Sequence, residues 1–172
     1  PPRFVTAHLT SHRNRPRPDE NVQCPAASSF SPRGVSLIPV VVGVLLAVGV
    51  AALGKFTRFD EDRSFYSTVL VIIASYYVLF AILGGSGHAL VWELVVAVGF
   101  SAVAIIGALY LPMLVGIGIT AHGLFDLVHH VLIENPGVPT WWPSFCGSID
   151  VALGLWVVTI TRSRAKWKTR TS

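Results

Sequence analysis

Five apolar runs, each close to twenty residues long and free of lysine and arginine, constrain this chain more than any other feature. A helix needs about 20 residues to cross the hydrocarbon core of a bilayer. Backbone N–H and C=O groups find no water there, so only helices and closed barrels can span, and uninterrupted apolar runs select helices. The fold class expected is therefore all-α, a polytopic membrane helix bundle of about five transmembrane helices. Composition agrees, since only 13% of the 172 residues are charged, against about 25% in soluble domains. All 13 Lys and Arg lie in residues 3–33, 55–63 or 162–170, outside the runs.

The runs divide the chain in order. Residues 1–34 are rich in Pro, Ser and Arg without hydrophobic periodicity, and read as a disordered N-terminal tail. The chain begins with Pro and its only Met is Met113, so a native start near Val35, at a valine codon, is expected. Spans follow at 35–54, 65–83, 88–109, 113–133 and 144–161, together a transmembrane domain of residues 35–161, with a basic tail over 162–172. Lys55–Arg63 forms a charged loop, Gly84–Gly87 a tight turn, and Leu111-Pro112 a helix break. Trp141 and Trp142 sit where interfacial anchors belong. Gly43, Gly49, Gly99, Gly107, Gly116, Gly118 and Gly154 read as close-packing positions.

Five spans put the 55–63 loop and the C-terminal tail on one side, with three and five basic residues, whereas the loops at 84–87 and 134–143 have none. The positive-inside rule then predicts a cytoplasmic C-terminus in the cell membrane. The basic residues form no folded face, so the expected partner is the lipid bilayer and no nucleic acid.

Ionisable residues inside the spans mark a site, because each is costly in lipid. His122, Asp126, His129 and His130 fall within roughly a quarter of one helix circumference. Glu93 and Asp150 lie at matching depth in the neighbouring spans, in the half of the bilayer away from the 55–63 loop. None of these spans contains a Lys or Arg counter-ion. The candidate ligands of a divalent metal, zinc or iron, are therefore His122, Asp126, His129, His130, Asp150 and Glu93. Asp126 and Glu93 are the candidate acid/base residues of an enzyme acting on a lipid-like or hydrophobic small molecule that enters laterally. Three alternatives stay open: a proton- or ion-handling protein with the same groups as a relay, a haem protein with two axial imidazoles, and a structural membrane subunit. Cys146, four residues before Asp150, reads as a small packing residue.

The segment Gly118-Ile-Thr-Ala-His122-Gly-Leu-Phe-Asp126-Leu-Val-His129-His130, with Asn135-Pro-Gly-Val-Pro and Trp142-Pro-Ser-Phe-Cys146-Gly-Ser-Ile-Asp150, resembles a signature of small bacterial multi-pass membrane proteins of unassigned function. This HxxxDxxHH resemblance covers roughly residues 111–160. It groups His122, Asp126, His129, His130, Cys146 and Asp150 and implies no activity. Asp126-x-x-His129-His130 also resembles one box of membrane di-iron desaturases, although the spans hold only four histidines. Ceramidase-like zinc hydrolases share residue types with this chain but no alignable motif.

Overall fold

The computed structural model describes residues 37–171, with side chains through Lys166. The expected N-terminal tail and the start near Val35 lie outside the described residues. Within them the chain forms α1 (Leu37–Phe56), a 3-10 turn (Phe59–Glu61), α2 (Arg63–Leu83), α3 (Gly87–Leu109), α4 (Pro112–Leu132) and α5 (Trp142–Thr171). All five α-helices are long and apolar enough to cross a membrane. The protein is a multi-pass membrane protein.

Local chemistry sets the helix ends. Asp62 caps α2, accepting from the Ser64 N–H at 2.9 Å and the Ser64 hydroxyl at 2.6 Å. Those two donors, the hydroxyl first, hold its carboxyl below the usual carboxylate range. Ser86 caps α3 by accepting from the Ala89 N–H at 3.2 Å. Pro112 opens α4 in the first turn, where its missing N–H costs nothing. α5 does not stop where the apolar run ends near residue 161 but stays helical through Thr171. Ala, Arg and Lys are strong helix formers, and no Gly or Pro follows Gly154.

The outer surface is apolar, with Leu37, Val91, Val98, Ile105 and Val131 all exposed, as a lipid-facing wall requires. α4 is the hub. It packs against α5, α3 and α2, while α2 pairs with α3 and α1 leans on α5.

Glycines let α4 and α5 approach. A Cβ on Gly116 would lie 2.8 Å from the Val158 nitrogen, and one on Gly123 would lie 2.8 Å from the Gly147 carbonyl oxygen. Gly154 and Gly147 stand opposite these two in the same antiparallel register, Gly154 meeting the Gly116 oxygen at 2.8 Å. Gly43, Gly107 and Gly118 are also packing contacts, against α5, Val115, and Leu70 with Val103. Gly49 and Gly99, expected to do the same, have nothing within 4 Å of a Cβ and are no packing positions.

Buried apolar residues divide by depth. Tyr66, Leu70, Ala104, Val115, Ile119, Leu153 and Val157 fill the half nearer the Phe59–Glu61 turn. A smaller cluster of Ala81, Ala89 and Ile133 closes the opposite end. The buried acidic and imidazole groups lie between the two.

Candidate functional site

Among the described residues the buried ionisable side chains with acid or imidazole groups are Glu93, His122, Asp126, His129 and Asp150, none more than 1% exposed. Helical periodicity brings three of them inward on α4, because positions 122, 126 and 129 lie on the face that meets α3 and α5. Glu93 reaches in from α3 and Asp150 from α5.

They form two groups. The deeper one is His122, Asp126 and Asp150, which each offer a ligand atom, all within 4.8 Å of one another. His122 Nδ1 lies 2.8 Å from Asp150 Oδ2 and 3.8 Å from Asp126 Oδ1. His122 is ten residues from either end of α4, so this group sits about 15 Å along the helix from each end, near the bilayer midplane. The second group is a hydrogen-bonded pair, His129 Nε2 to Glu93 Oε1 at 2.7 Å. Glu93 Oε1 also accepts from Asn135 Nδ2 at 2.9 Å.

Tyr77 of α2 lies between the groups. Its ring stacks on His129 at 4.0 Å between centroids and stands 6.2 Å from His122. Phe100 packs edge-on to His122 at 4.9 Å. These aromatic walls exclude water from the deeper group. Cys146 is buried and makes a 3.8 Å contact from Sγ to Asp150 Oδ2.

The candidates named from sequence therefore separate. His122, Asp126 and Asp150 come together, and Glu93 and His129 form a separate pair one helical turn nearer the Gly84 end. His130 joins neither group: its side chain turns outward and is exposed, because one more residue rotates it 100° from His129. His88 is also exposed and accepts from the Trp92 indole N–H at 3.3 Å.

Two contributors escaped the sequence reading. Tyr77 looks like an ordinary apolar-span aromatic until α2 is placed beside α4. Asn135 looks like turn chemistry in Asn-Pro-Gly, yet its amide ties Glu93 to the Tyr77 carbonyl at 3.1 Å. The Asn135-Pro-Gly run also lays Gly137 against Gly84, where a Cβ on Gly84 would sit 2.6 Å from the Gly137 nitrogen. The glycines at 84 and 137 are the trace in the sequence of that close fit between the loop and the end of α2.

Charge does not balance inside the bundle. Three carboxyls face two imidazoles, and no Lys or Arg among the described residues is buried. Even with both imidazoles protonated, one carboxylate is left over. Neither oxygen of Asp126 has a well-formed hydrogen bond, the Tyr77 hydroxyl and the Cys146 thiol being the donors that face it, and His122 Nε2, Asp150 Oδ1 and Glu93 Oε2 lack a partner. An ionised carboxylate held this way costs several kcal/mol, so Asp126 requires either a proton or a cation.

A family of unknown function, DUF6010, matches residues 37–163. The chain belongs to that family. The match runs through all five helices and so extends well beyond the His122–Asp150 stretch. No curated protein and no solved structure matches the chain.

A cavity of about 490 Å³ opens beside the second group, lined among others by His129, His130, Glu134, Asn135, Thr140 and Ser144. It reaches His129 but none of His122, Asp126 or Asp150.

Proposed function

We propose that this DUF6010 protein binds one divalent cation within the membrane, with His122, Asp126 and Asp150 as its ligands. The observation that carries the reading is the Asp126 carboxylate, fully buried without a well-formed hydrogen bond to either oxygen, faced only by the Tyr77 hydroxyl and the Cys146 thiol as neutral donors, beside an imidazole and a second carboxylate. One nitrogen and two carboxylate donors suit zinc or iron. In a tetrahedral zinc site neighbouring ligand atoms stand about 3.5 Å apart, so the present separations, 2.8 and 3.8 Å to the imidazole and within 4.8 Å throughout, would have to even out by about 1 Å on coordination. The Glu93–His129 pair, linked through Tyr77, would hold the protons exchanged as ligands ionise.

Three protein ligands leave a fourth position for water, the arrangement of catalytic rather than structural zinc. A hydrolytic version, with Asp126 or Glu93 as acid/base on a lipid-like substrate, needs that substrate at the ion. The large cavity ends at His129, so the geometry favours binding over turnover. Residence in the cell membrane with a cytoplasmic C-terminus is part of the same proposal, resting on the basic residues of the 55–63 loop and the end of α5.

Detergent-purified protein tests this by elemental analysis, with a chelator-stripped sample titrated with zinc or ferrous iron. One equivalent is expected in the wild type, and His122→Ala and Asp126→Asn should each lose it. An absence of tight binding in both samples overturns the proposal. The charge count also supports a second reading, in which Asp126 carries a proton instead of facing a cation. It predicts an infrared carbonyl band from a protonated carboxylic acid that disappears in Asp126→Asn. A Soret absorption band in the purified protein would replace both readings with haem.

A further inference from the structure

Along the seam of α1 and α5, away from the buried polar cluster, two cavities share Lys55 and Trp156. The first, about 410 Å³, is walled by Ala47, Val48, Ala51 and Ala52 of α1 and by Ala152 and Trp156 of α5. The second, about 400 Å³, continues toward the Phe59–Glu61 turn and adds Asp60, Thr159, Ser163 and Arg164. We infer that this seam is a binding site for one anionic phospholipid, with an acyl chain in the alanine trough and the phosphate at Lys55.

The trough exists because alanines recur at helical spacing, Ala47 and Ala51 on α1 opposite Ala152 on α5. Eight residues separate Ala47 from Lys55, a length of about 12 Å along α1. Surrounding hydrocarbon cannot leave such a volume empty without losing dispersion contacts, so a lipid chain enters it. An acyl chain gains little by moving from one apolar setting to another, and selectivity must come from the mouth.

The mouth is cationic by one charge. Arg164 is committed to Asp60, with Nη2 at 2.8 Å from Oδ2 and Nη1 at 2.6 Å from the Asp60 carbonyl. Lys55 has no carboxylate partner among the described residues, and its ammonium stands 6.0 Å from the centroid of the Trp156 ring. The Ser163 hydroxyl donates to the Thr159 carbonyl at 3.0 Å, which leaves Lys55 as the group that recognises a phosphate. A soluble anion would use this mouth and leave the trough unfilled, whereas an anionic lipid fills both.

The test uses the full chain, released from vesicles of equimolar phosphatidylglycerol and phosphatidylcholine with identical acyl chains, and native mass spectrometry of the lipid that stays bound. Phosphatidylglycerol should be retained several-fold over phosphatidylcholine. Lys55→Gln should cut that preference about fivefold, the effect of one lysine at an anionic surface, and Lys55→Arg should preserve it. Ala51→Leu, which fills the trough, should release lipid of either headgroup. Lys55 is exposed, and the arginine variant controls for any loss of fold. Equal retention of both lipids by the wild type, or an unchanged preference in Lys55→Gln, overturns the inference. Displacement of phosphatidylglycerol by inorganic phosphate would make the mouth a free-anion site and overturn it too. A change of oligomeric state in Ala51→Leu with lipid retention intact would assign the trough to a second copy of the chain instead.

Discussion

Gly123 shows how closely the candidate site depends on a missing side chain. A Cβ there would meet Asp150 Cβ at 2.8 Å and the Gly147 carbonyl oxygen at 2.8 Å. Gly123→Ala must therefore push α5 away from α4 and carry Asp150 off His122. Overpacking of this kind costs about 1–3 kcal/mol. The expected outcome is a lowered unfolding temperature in detergent together with weakened cation binding, measured by thermal denaturation and by metal titration of the same preparation. Gly49→Ala and Gly99→Ala are the controls. Both positions are helical with open space around them, so alanine should be neutral or stabilise by up to about 1 kcal/mol. A destabilising Gly99→Ala would mean that α3 packs against something beyond this chain.

At the scale of the elements, the connection from α4 to α5 is a structural part of the site. Asn135 donates to the Tyr77 carbonyl near the end of α2 and to Glu93 on α3, so one amide joins three segments. Asn135→Ala leaves the Glu93–His129 pair without that support. The loss of a hydrogen bond to a buried carboxylate is worth about 1–3 kcal/mol. Global stability should fall by that order, and hydrogen exchange should rise at the Gly84 end of α2 before the Arg63 end. Uniform loss of protection along α2 would contradict this placement of the loop. Another connection, Thr57–Asp62, is held by the Arg164–Asp60 pair, whose guanidinium is half exposed and whose carboxylate is mostly covered. Arg164→Ala leaves the mostly covered Asp60 carboxylate without its partner and should cost about 1–3 kcal/mol, read as a lowered unfolding temperature in detergent.

The whole molecule is a bundle with two unlike halves, apolar packing toward the Phe59–Glu61 turn and ionisable groups toward the Gly84 and Gly137 connections. The Arg164–Asp60 contact puts the end of α5 beside that turn, so the two lie on one side of the membrane. Reporter fusions after Lys166 and insertions near Phe59 should agree in side, and cysteines at Gly85 and Pro136 should label from the other. By the basic-residue count, the shared side of Lys166 and Phe59 is expected to be cytoplasmic. Labelling of Lys166 and Gly85 from the same side would overturn the five-span arrangement.

The amino-acid sequence by itself determined the class of fold, the number of helices and their approximate ends, except that α5 runs on past residue 161 to Thr171. Each of those follows from local properties: apolar length against bilayer thickness, the charged 55–63 loop, the Gly84–Gly87 turn and the Leu111-Pro112 break. It also determined which residues are too costly to bury without a purpose, including His122, Asp126, Asp150, Glu93 and His129. Helical phase alone cannot say which neighbour a face meets. Only the tertiary structure decided that His122, Asp126 and Asp150 converge, that Glu93 and His129 form their own pair, and that His130 points outward. The reason is the α4–α5 approach, set by glycines at 116, 123, 147 and 154 whose contact shows only when both helices are in place. The row of polar residues on α4 was legible; its division into two groups was a property of packing.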